Sequence, residues 1–273
     1  MAGDLVRITV DGERVDATLG QTLLAVCRRM GKDIPTLCHH EGVDPYAACR
    51  VCLVEVVAGA RQELVPSCQY PVSEGLVIET DSKAVQDARR VVLQLLLARC
   101  PASEVVAELA ARYGVSETPY PTEDPDETCI LCGLCVRVCE NVLGIAAIGF
   151  ADRGIDRKVG VPFDEASGVC IGCGACVAVC PTGHVCSIDE DLTRRMETWK
   201  TELEMVACEA CGTRFATVKH LDHIRASLPE HVPVSRLCRA CRRLGAARRL
   251  VEASSIVVDE LEVKPVPGGD ASR

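Results

Sequence analysis

The strongest constraint on the fold of this chain is a four-cysteine pattern that occurs twice. The two copies are Cys129-x2-Cys132-x2-Cys135-x3-Cys139 and Cys170-x2-Cys173-x2-Cys176-x3-Cys180-Pro181. A cuboidal [4Fe–4S] cluster needs four thiolates that converge from different directions, and a tight loop with a cysteine at every third position supplies three of them. The repeat therefore predicts one domain that binds two [4Fe–4S] clusters.

The fourth cysteine of each copy is expected to cross over, because in two-cluster ferredoxins it binds the cluster of the other copy. The predicted ligands of the first cluster are Cys129, Cys132, Cys135 and Cys180, and those of the second are Cys170, Cys173, Cys176 and Cys139. Gly133, Gly172 and Gly174 would let the backbone wrap closely and turn its N–H groups toward the sulfurs. The alternative, eight structural or zinc-binding thiols, does not account for the doubled spacing.

A second quartet lies nearer the N-terminus and predicts a [2Fe–2S] cluster. Its pattern is Cys38-x10-Cys49-x2-Cys52-x15-Cys68, close to the plant-type ferredoxin spacing but with a longer first gap. Three cysteines in one region and a fourth on a distant element can surround a flat two-iron rhomb. A zinc site is one alternative. A Rieske-like centre using His39 and His40 is another, although it needs its two histidines in separate loops.

Composition agrees with metal-held domains in a reducing compartment. Aromatic residues make up only 3% of the chain, so the largest core-filling side chains are scarce and bound clusters would have to help hold the domains together. The 19 cysteines, an odd number, and the lack of a visible signal peptide or membrane-spanning stretch predict a cytoplasmic protein without membrane insertion. The net charge of −9 argues against nucleic-acid binding by the whole chain.

The expected fold class is α+β, with several small domains in series. Residues 1–80 predict a β-grasp [2Fe–2S] ferredoxin domain, with a hairpin at Asp11-Gly12, a helix at Thr22–Met30 and later strands near Leu53–Val57 and Leu76–Thr80. The remaining predicted segments are two helices and an extended linker at 81–128, the two-cluster domain at 129–190, a helix plus a cysteine module at 191–254, and a frayed tail at 255–273. The helix in the fourth segment is expected over Asp191–Glu204.

A third quartet, Cys208-x2-Cys211 and Cys238-x2-Cys241, predicts a small zinc-ribbon-like module. Zinc would join two ends of a segment that is too small to hold a core, and Gly212 suits the turn after the first pair. Another iron–sulfur cluster or unligated thiols stay open, because both metals accept four thiolates. A group of arginines around the quartet is expected to form a solvated face or to dock an acidic partner.

The remaining cysteines and the absence of other motifs favour a role in electron transfer over catalysis. Cys27 is expected in the core, and Cys100 and Cys186 are not expected to bind metal. No catalytic constellation, dinucleotide-binding glycine motif or P-loop is evident, so no catalytic site is expected in this chain.

Two stretches of the sequence resemble a known family. The run IPTLCHHEGVDPYAACRVCLVEV, from Ile34 to Val56, is similar to the [2Fe–2S] domain in the N-terminal iron–sulfur region of the large peripheral-arm subunit of respiratory complex I. The runs CILCGLCVRVCENVLGIAAIGF and CIGCGACVAVCPTG resemble the dicluster domain of its relatives. Those relatives include the small diaphorase subunit of NAD-reducing nickel–iron hydrogenases, iron–iron hydrogenases and NAD-dependent formate dehydrogenases.

The resemblance implies an electron-transfer subunit of a multisubunit NAD(P)-linked oxidoreductase. Its expected partners are a flavin- and NAD(P)-binding iron–sulfur subunit and a catalytic subunit of the nickel–iron hydrogenase or formate dehydrogenase type. Many relatives carry a further cluster bound by one His and three Cys between the two domains. Here the segment 81–128 has only Cys100 and no His, so the relay is expected to be one site shorter. The alternatives are a free electron carrier without a stable complex and a standalone enzyme.

Overall fold

The computed structural model describes residues 4–58 and 63–253, with the side chains of 251–253 left aside. The predicted tail at 255–273 lies outside the described residues. The chain forms two compact units, Met1–Leu203 and Glu204–Arg273.

A five-stranded mixed sheet opens the first unit. Its strands are β1 (Leu5–Val10), β2 (Glu13–Thr18), β3 (Leu53–Ala58), β4 (Glu63–Pro66) and β5 (Val77–Glu79). Their order across the sheet is β2-β1-β5-β3-β4, with β1 and β5 parallel and the other neighbours antiparallel. Helix α1 (Leu23–Arg29) begins after the N-cap Thr22 and packs its apolar side chains into the same core as β1. This sheet with one packed helix matches the predicted β-grasp arrangement.

The first hairpin forms where the sequence places Asp11 and Gly12. Both residues have positive φ, 48° and 82°, as a tight two-residue turn between antiparallel strands requires. The Asp11 carboxylate accepts hydrogen bonds from the Thr80 backbone N–H at 2.7 Å and the Thr80 hydroxyl at 2.8 Å. The turn is therefore fastened to the residue that follows β5.

Two helices follow the sheet, as predicted. Helix α2 (Lys83–Arg99) begins after Ser82, whose hydroxyl accepts from the Val85 N–H, and helix α3 (Glu104–Arg112) begins after Ser103. Arg89 of α2 is buried, and its guanidinium donates to the Leu53 carbonyl at 2.7 Å. This hydrogen bond ties α2 to the start of β3, because a buried guanidinium needs a partner. The predicted linker at 116–128 contains neither helix nor strand.

The region with the doubled cysteine pattern consists of short helices, turns and strands around its two cysteine-bearing loops. They are α4 (Leu134–Arg137), a π-turn at Val138–Val142, β6 (Gly149–Ala151), β7 (Lys158–Gly160) and α5 (Ala175–Ala178), with 3₁₀ turns at Gly154–Asp156 and Pro162–Asp164. Both short helices start after a left-handed glycine, Gly133 before α4 and Gly174 before α5. The sequence repeat is therefore also a repeat in backbone conformation.

The prediction of a helix over Asp191–Glu204 is wrong. The chain instead forms a hairpin of β8 (Ile188–Glu190) and β9 (Thr193–Met196), a 3₁₀ turn at Glu197–Trp199 and the start of β10 (Thr201–Ala207). Positive φ at Asp191 (47°) and Lys200 (51°) makes the turns at both ends of β9. Met196, Trp199 and Leu203 recur at a helix-like spacing, yet they reach the core from a strand, a turn and a strand.

The second unit contains most of β10, then β11 (Arg214–Thr217), α6 (Val218–Ser227) and α7 (Arg239–Ala253). β10 and β11 pair antiparallel, and Thr217 caps α6 by accepting from the His220 N–H at 3.1 Å. The predicted arginine face of this region is exposed: Arg236, Arg239, Arg242, Arg243, Arg248 and Arg249. Among the described residues, every helix is too short or too polar to cross a bilayer.

Candidate metal centres

The four N-terminal thiols meet beside the β-grasp sheet and are nearly shielded from solvent. Cys49 and Cys52 lie in the loop that leads into β3, Cys68 follows β4, and Cys38 lies in the long loop after α1. Their exposed fractions are 5% or less: Cys38 2%, Cys49 5%, Cys52 1% and Cys68 1%. The Cys49 N–H donates to the Cys38 sulfur at 3.4 Å. Separate parts of the sequence thus bring their thiols together at one buried site.

These thiols form two close pairs, Cys38 with Cys49 and Cys52 with Cys68. A hydrogen bond from Cys49 lowers the pKa of Cys38 to about 6, although burial opposes the shift. A hydrogen bond from Cys68 likewise lowers the pKa of Cys52 to about 7. The same bonds raise the pKa of Cys49 and Cys68. A two-iron rhomb takes two thiolates on each iron, so two thiol pairs fit this donor set.

Eight thiols of the doubled pattern divide between two separate cavities. One cavity is lined by Cys129, Cys132, Cys135 and Cys180. The other is lined by Cys139, Cys170, Cys173 and Cys176. Each set combines three cysteines of one copy with the last cysteine of the other copy. The two all-thiol donor sets fit two groups of the same kind.

Burial keeps most of these thiols protonated when no metal is bound. It raises the pKa of Cys132 to about 12 and that of Cys176 to about 11. It also raises the pKa of Cys129, Cys135 and Cys173. Because metals bind the thiolate, loading these cavities must release protons.

The loop backbone curls around the first cavity through left-handed residues. Leu131 and Gly133 have φ of 52° and 69°, and the Leu131 N–H donates to the Cys129 sulfur at 3.4 Å. A Cβ added to Gly133 would lie 2.8 Å from Cζ of Phe150, closer than real Cβ contacts. Glycine suits this position because it adopts positive φ without strain and leaves room for the Phe150 ring. In the second cavity, the Ala147 N–H donates to the Cys139 sulfur at 3.4 Å.

Trp199 is a site residue that the sequence interpretation missed. Its side chain is only 1% exposed and lines both four-thiol cavities. The indole Nε1–H donates to the Cys176 sulfur at 3.4 Å. The available signal was that the chain's only tryptophan lies shortly after the second cysteine copy, in a segment taken for a polar helix.

The [2Fe–2S] domain and the first four-thiol cavity share packing. One apolar cluster contains Cys38, Cys49 and Cys132 together with Leu96 and Leu134. Arg137 of α4 donates to the carbonyls of Asp44 and, at 3.5 Å, Cys38. Its guanidinium carbon also lies 5.2 Å from the centroid of the Tyr46 ring. The cysteine-bearing loops of the two domains are thus in direct contact.

In the second unit, the C-terminal thiols converge closely. The sulfurs of Cys208, Cys211, Cys238 and Cys241 lie within 4.8 Å of one another, and those of Cys211 and Cys238 are 3.8 Å apart. The Cys238 N–H donates to the Cys208 sulfur at 3.2 Å, and the Cys241 N–H to the Cys238 sulfur at 3.5 Å. Hydrogen bonds from backbone N–H groups, that of Cys238 above all, lower the pKa of Cys208 to about 6.

The other candidate residues do not line either four-thiol cavity. Cys27 belongs to the core of the β-grasp sheet, and Cys100 is fully buried, with its thiol donating to the Leu96 carbonyl at 2.9 Å. Cys186 is exposed. Of the two histidines considered for a Rieske-like centre, His40 is exposed and accepts from the Gly42 N–H at 3.1 Å.

Comparison with known domain families agrees with this geometry. A 2Fe-2S iron-sulfur cluster binding domain matches residues 3–83, and a 4Fe-4S dicluster domain matches residues 128–184. The first contains the two close thiol pairs and the second contains both four-thiol cavities. The chain is therefore an iron–sulfur protein with a [2Fe–2S] domain followed by a [4Fe–4S] dicluster domain.

Among curated proteins, the chain resembles subunits of larger enzymes. It is 31% identical over 236 residues to a G-type subunit of the NADH-quinone oxidoreductase of Rhizobium meliloti, covering 77% of this chain and 27% of that protein. It is 33% identical over 279 residues to the HndD subunit of the NADP-reducing hydrogenase of Solidesulfovibrio fructosivorans, covering 88% of this chain and 45% of that protein. The chain thus spans less than half the length of these relatives.

A solved structure supports the fold. A chain in the crystal structure of an NAD⁺-reducing [NiFe]-hydrogenase in the H₂-reduced state matches with a TM-score of 0.50 and 23% identity. The match covers 76% of this chain and 88% of that chain. At this identity the likeness concerns the fold alone.

Proposed function

We propose that this chain is the electron-transfer subunit of a multisubunit NAD(P)-linked oxidoreductase and passes single electrons between a flavin- and NAD(P)-binding subunit and a catalytic subunit. The observation that carries the proposal is the shared packing of Cys38, Cys49 and Cys132, which brings the [2Fe–2S] ligand loops against the first four-thiol cavity. Trp199 then lines both four-thiol cavities, so the three candidate centres follow one another within one compact unit.

The ligand assignment belongs to the same proposal. Cys38, Cys49, Cys52 and Cys68 would hold the [2Fe–2S] cluster, and the two cavities would hold one [4Fe–4S] cluster each. Bound clusters of these types accept and release one electron at a time. The protein's part is to keep the thiolates dry, to supply N–H donors to sulfur and to fix the loops against each other.

For the C-terminal quartet we propose a single zinc ion. A Zn–S distance of ~2.3 Å gives tetrahedral S···S distances of roughly 3.8 Å, which matches the separation of the Cys211 and Cys238 sulfurs. A [4Fe–4S] cluster binds each thiolate through a different iron, so it holds the four ligand sulfurs farther apart. Among the described residues, this quartet is the only group of three or more potential ligand atoms that all lie within 4.8 Å of one another.

We propose the type of catalytic partner from the names of the related proteins. HndD is named for an NADP-reducing hydrogenase, and the matching solved structure is named for an NAD⁺-reducing [NiFe]-hydrogenase. A hydrogenase-type catalytic subunit is therefore the first candidate, and a formate dehydrogenase type is the second. The cytoplasm, where thiols stay reduced, suits a chain with 19 cysteines.

The decisive experiment is anaerobic native purification with identification of partners and metal analysis. We expect co-purification at fixed stoichiometry with a flavoprotein, ~10 Fe per chain from the three clusters, and one Zn. NADH or NADPH should reduce the clusters of the complex. Purification of the chain alone, with electron exchange to many partners, would support the free carrier instead. A colourless protein without an EPR signal after dithionite treatment would overturn the assignment of the clusters.

A further inference from the structure

The chain's single tryptophan lies at the junction of the two four-thiol cavities. Trp199 is 1% exposed, and its Nε1–H needs a partner because buried indoles seldom leave that donor unpaired. The partner is the sulfur of Cys176, at 3.4 Å, in the second cavity. No corresponding hydrogen bond from this indole reaches a thiol of the first cavity among the described residues. The contact is therefore asymmetric between two otherwise similar centres.

The backbone around Trp199 holds the ring in this position. The Thr201 hydroxyl donates to the Trp199 carbonyl at 2.8 Å and accepts from the Ser167 N–H at 3.2 Å. The Thr198 hydroxyl donates to the His184 carbonyl at 3.2 Å and accepts from the Cys186 N–H at 3.2 Å. These bonds attach the turn at Glu197–Trp199 to the segments on both sides of the second cysteine copy.

A second anchor lies on the preceding hairpin. Arg194 pairs with Asp189 at 2.7 Å and donates to the Gly172 carbonyl at 2.9 Å. Gly172 belongs to the cysteine loop of the second cavity, so the hairpin of β8 and β9 contacts that loop directly. The segment lies beyond residue 184, where the match to the dicluster domain ends. An element outside the matched domain therefore supplies a donor to one of its candidate ligands.

We infer that Trp199 is a positioning residue that sets the reduction potential of the second [4Fe–4S] centre above the value its four cysteines alone would give. Uptake of one electron adds one negative charge, which the cluster and its thiolates share, and no bond to the protein forms or breaks. An N–H donor to a ligand sulfur stabilises the more negative state and raises the potential. Because the bond reaches only Cys176, the effect is selective for one centre. The inference rests on the proposed electron-transfer function.

The test is an EPR-monitored redox titration of the cluster-loaded full chain. In Trp199→Phe, a ring remains but the N–H is lost, and we expect the second [4Fe–4S] centre to become harder to reduce by about tenfold in its one-electron equilibrium, or ~59 mV. The [2Fe–2S] centre and the first [4Fe–4S] centre act as internal references and should change less than twofold. Met196→Leu is the matched control, since Met196 lines the same cavity without donating to sulfur.

A shape-preserving replacement separates the hydrogen bond from packing. Because the chain has one tryptophan, growth with benzothienylalanine would replace only Trp199, exchanging the N–H for sulfur in a ring of the same shape. A selective fall in the second potential supports the inference even if Trp199→Phe loads poorly. Unchanged potentials, or equal shifts of both four-iron centres in the benzothienyl protein, would overturn it. Loss of all cluster signals in the unmodified chain would instead overturn the proposed function.

Discussion

At the scale of single residues, the thiols of this chain differ in how readily they become ligands. Cys38 and Cys52 already have a lowered pKa because a neighbouring thiol donates to each of them. Cys132 and Cys176 have a raised pKa because they are buried without enough compensating donors. Cluster assembly must therefore displace protons from the four-thiol cavities and also from Cys49 and Cys68, whose pKa is raised.

The crossing of the fourth cysteines gives a sharp test. Cys180→Ser should damage the first [4Fe–4S] centre, because Cys180 lines the cavity of Cys129, Cys132 and Cys135. Cys139→Ser is the matched variant and should damage the second centre. Iron analysis and EPR of both variants would check this. Loss of the second signal in Cys180→Ser would show that the copies do not exchange ligands.

Spacing predicted these cysteine sets because four thiolates on one cluster impose a regular sequence pattern. It could not predict Trp199, whose donor reaches Cys176 through tertiary packing across 23 residues. It also could not predict Arg137 as a contact to the [2Fe–2S] loop, since Arg137 and Cys38 are 99 residues apart in sequence. Side chains that contact the ligand loops from distant positions in the sequence leave no periodic pattern.

Among the helices and strands, the local sequence predicted the structure correctly where a turn or an N-cap requires particular residue types. Asp11-Gly12 predicted the first hairpin, and the helix expected over Thr22–Met30 forms at Leu23–Arg29 after the N-cap Thr22. The prediction of a helix over Asp191–Glu204 failed because positive φ at Asp191 and Lys200 gives turns in this polar segment. Lys200 pairs with Asp164, 36 residues away in the sequence, and the local sequence does not reveal such a contact.

The hairpin turn should depend on the Asp11 carboxylate. Burial acts to raise the pKa of Asp11, but the hydrogen bonds from Thr80 and the nearby Lys32 outweigh it and hold the pKa below its usual value. Asp11→Asn keeps a residue that tolerates positive φ but loses the charge. We expect the free energy of unfolding to fall by roughly 1 kcal/mol, allowing for solvent screening. Anaerobic hydrogen–deuterium exchange should show faster exchange of the Thr80 amide.

Asp16→Asn is the control for this prediction. Asp16 pairs with Arg7 at 2.9 Å on the adjacent strand, but both side chains are more than half exposed. Exposed ion pairs contribute little to stability, so this variant should leave exchange at Thr80 unchanged. Equal effects of the two substitutions would show that the Asp11 contacts to Thr80 stabilise the turn no more than an exposed ion pair does.

The short helix α4 joins the two cluster domains through Arg137. Arg137→Lys keeps the charge but cannot hold both carbonyls in the same fork or stack as well on Tyr46. We expect faster amide exchange over residues 38–49 and a weaker magnetic interaction between the [2Fe–2S] and first [4Fe–4S] centres. Arg153→Lys, at an exposed arginine in the same unit, should change neither property.

At the scale of the whole molecule, the two compact units should differ in their metal. Cys238→Ser should abolish binding of the proposed zinc ion and leave the iron content near its wild-type value, because the candidate iron sites lie in the other unit. The check is metal analysis of the purified protein, together with limited proteolysis, which should cut the second unit faster. Loss of about four iron per chain would instead identify this quartet as a further cluster site.

The place of Trp199 has an optical consequence. Its ring is the only indole in the chain and lies against both four-thiol cavities. Clusters absorb in the near ultraviolet, where indole emits, so intrinsic fluorescence should fall from its value in metal-free protein as these cavities fill. Assembly could thus be followed in a cuvette, in real time and without an electrode.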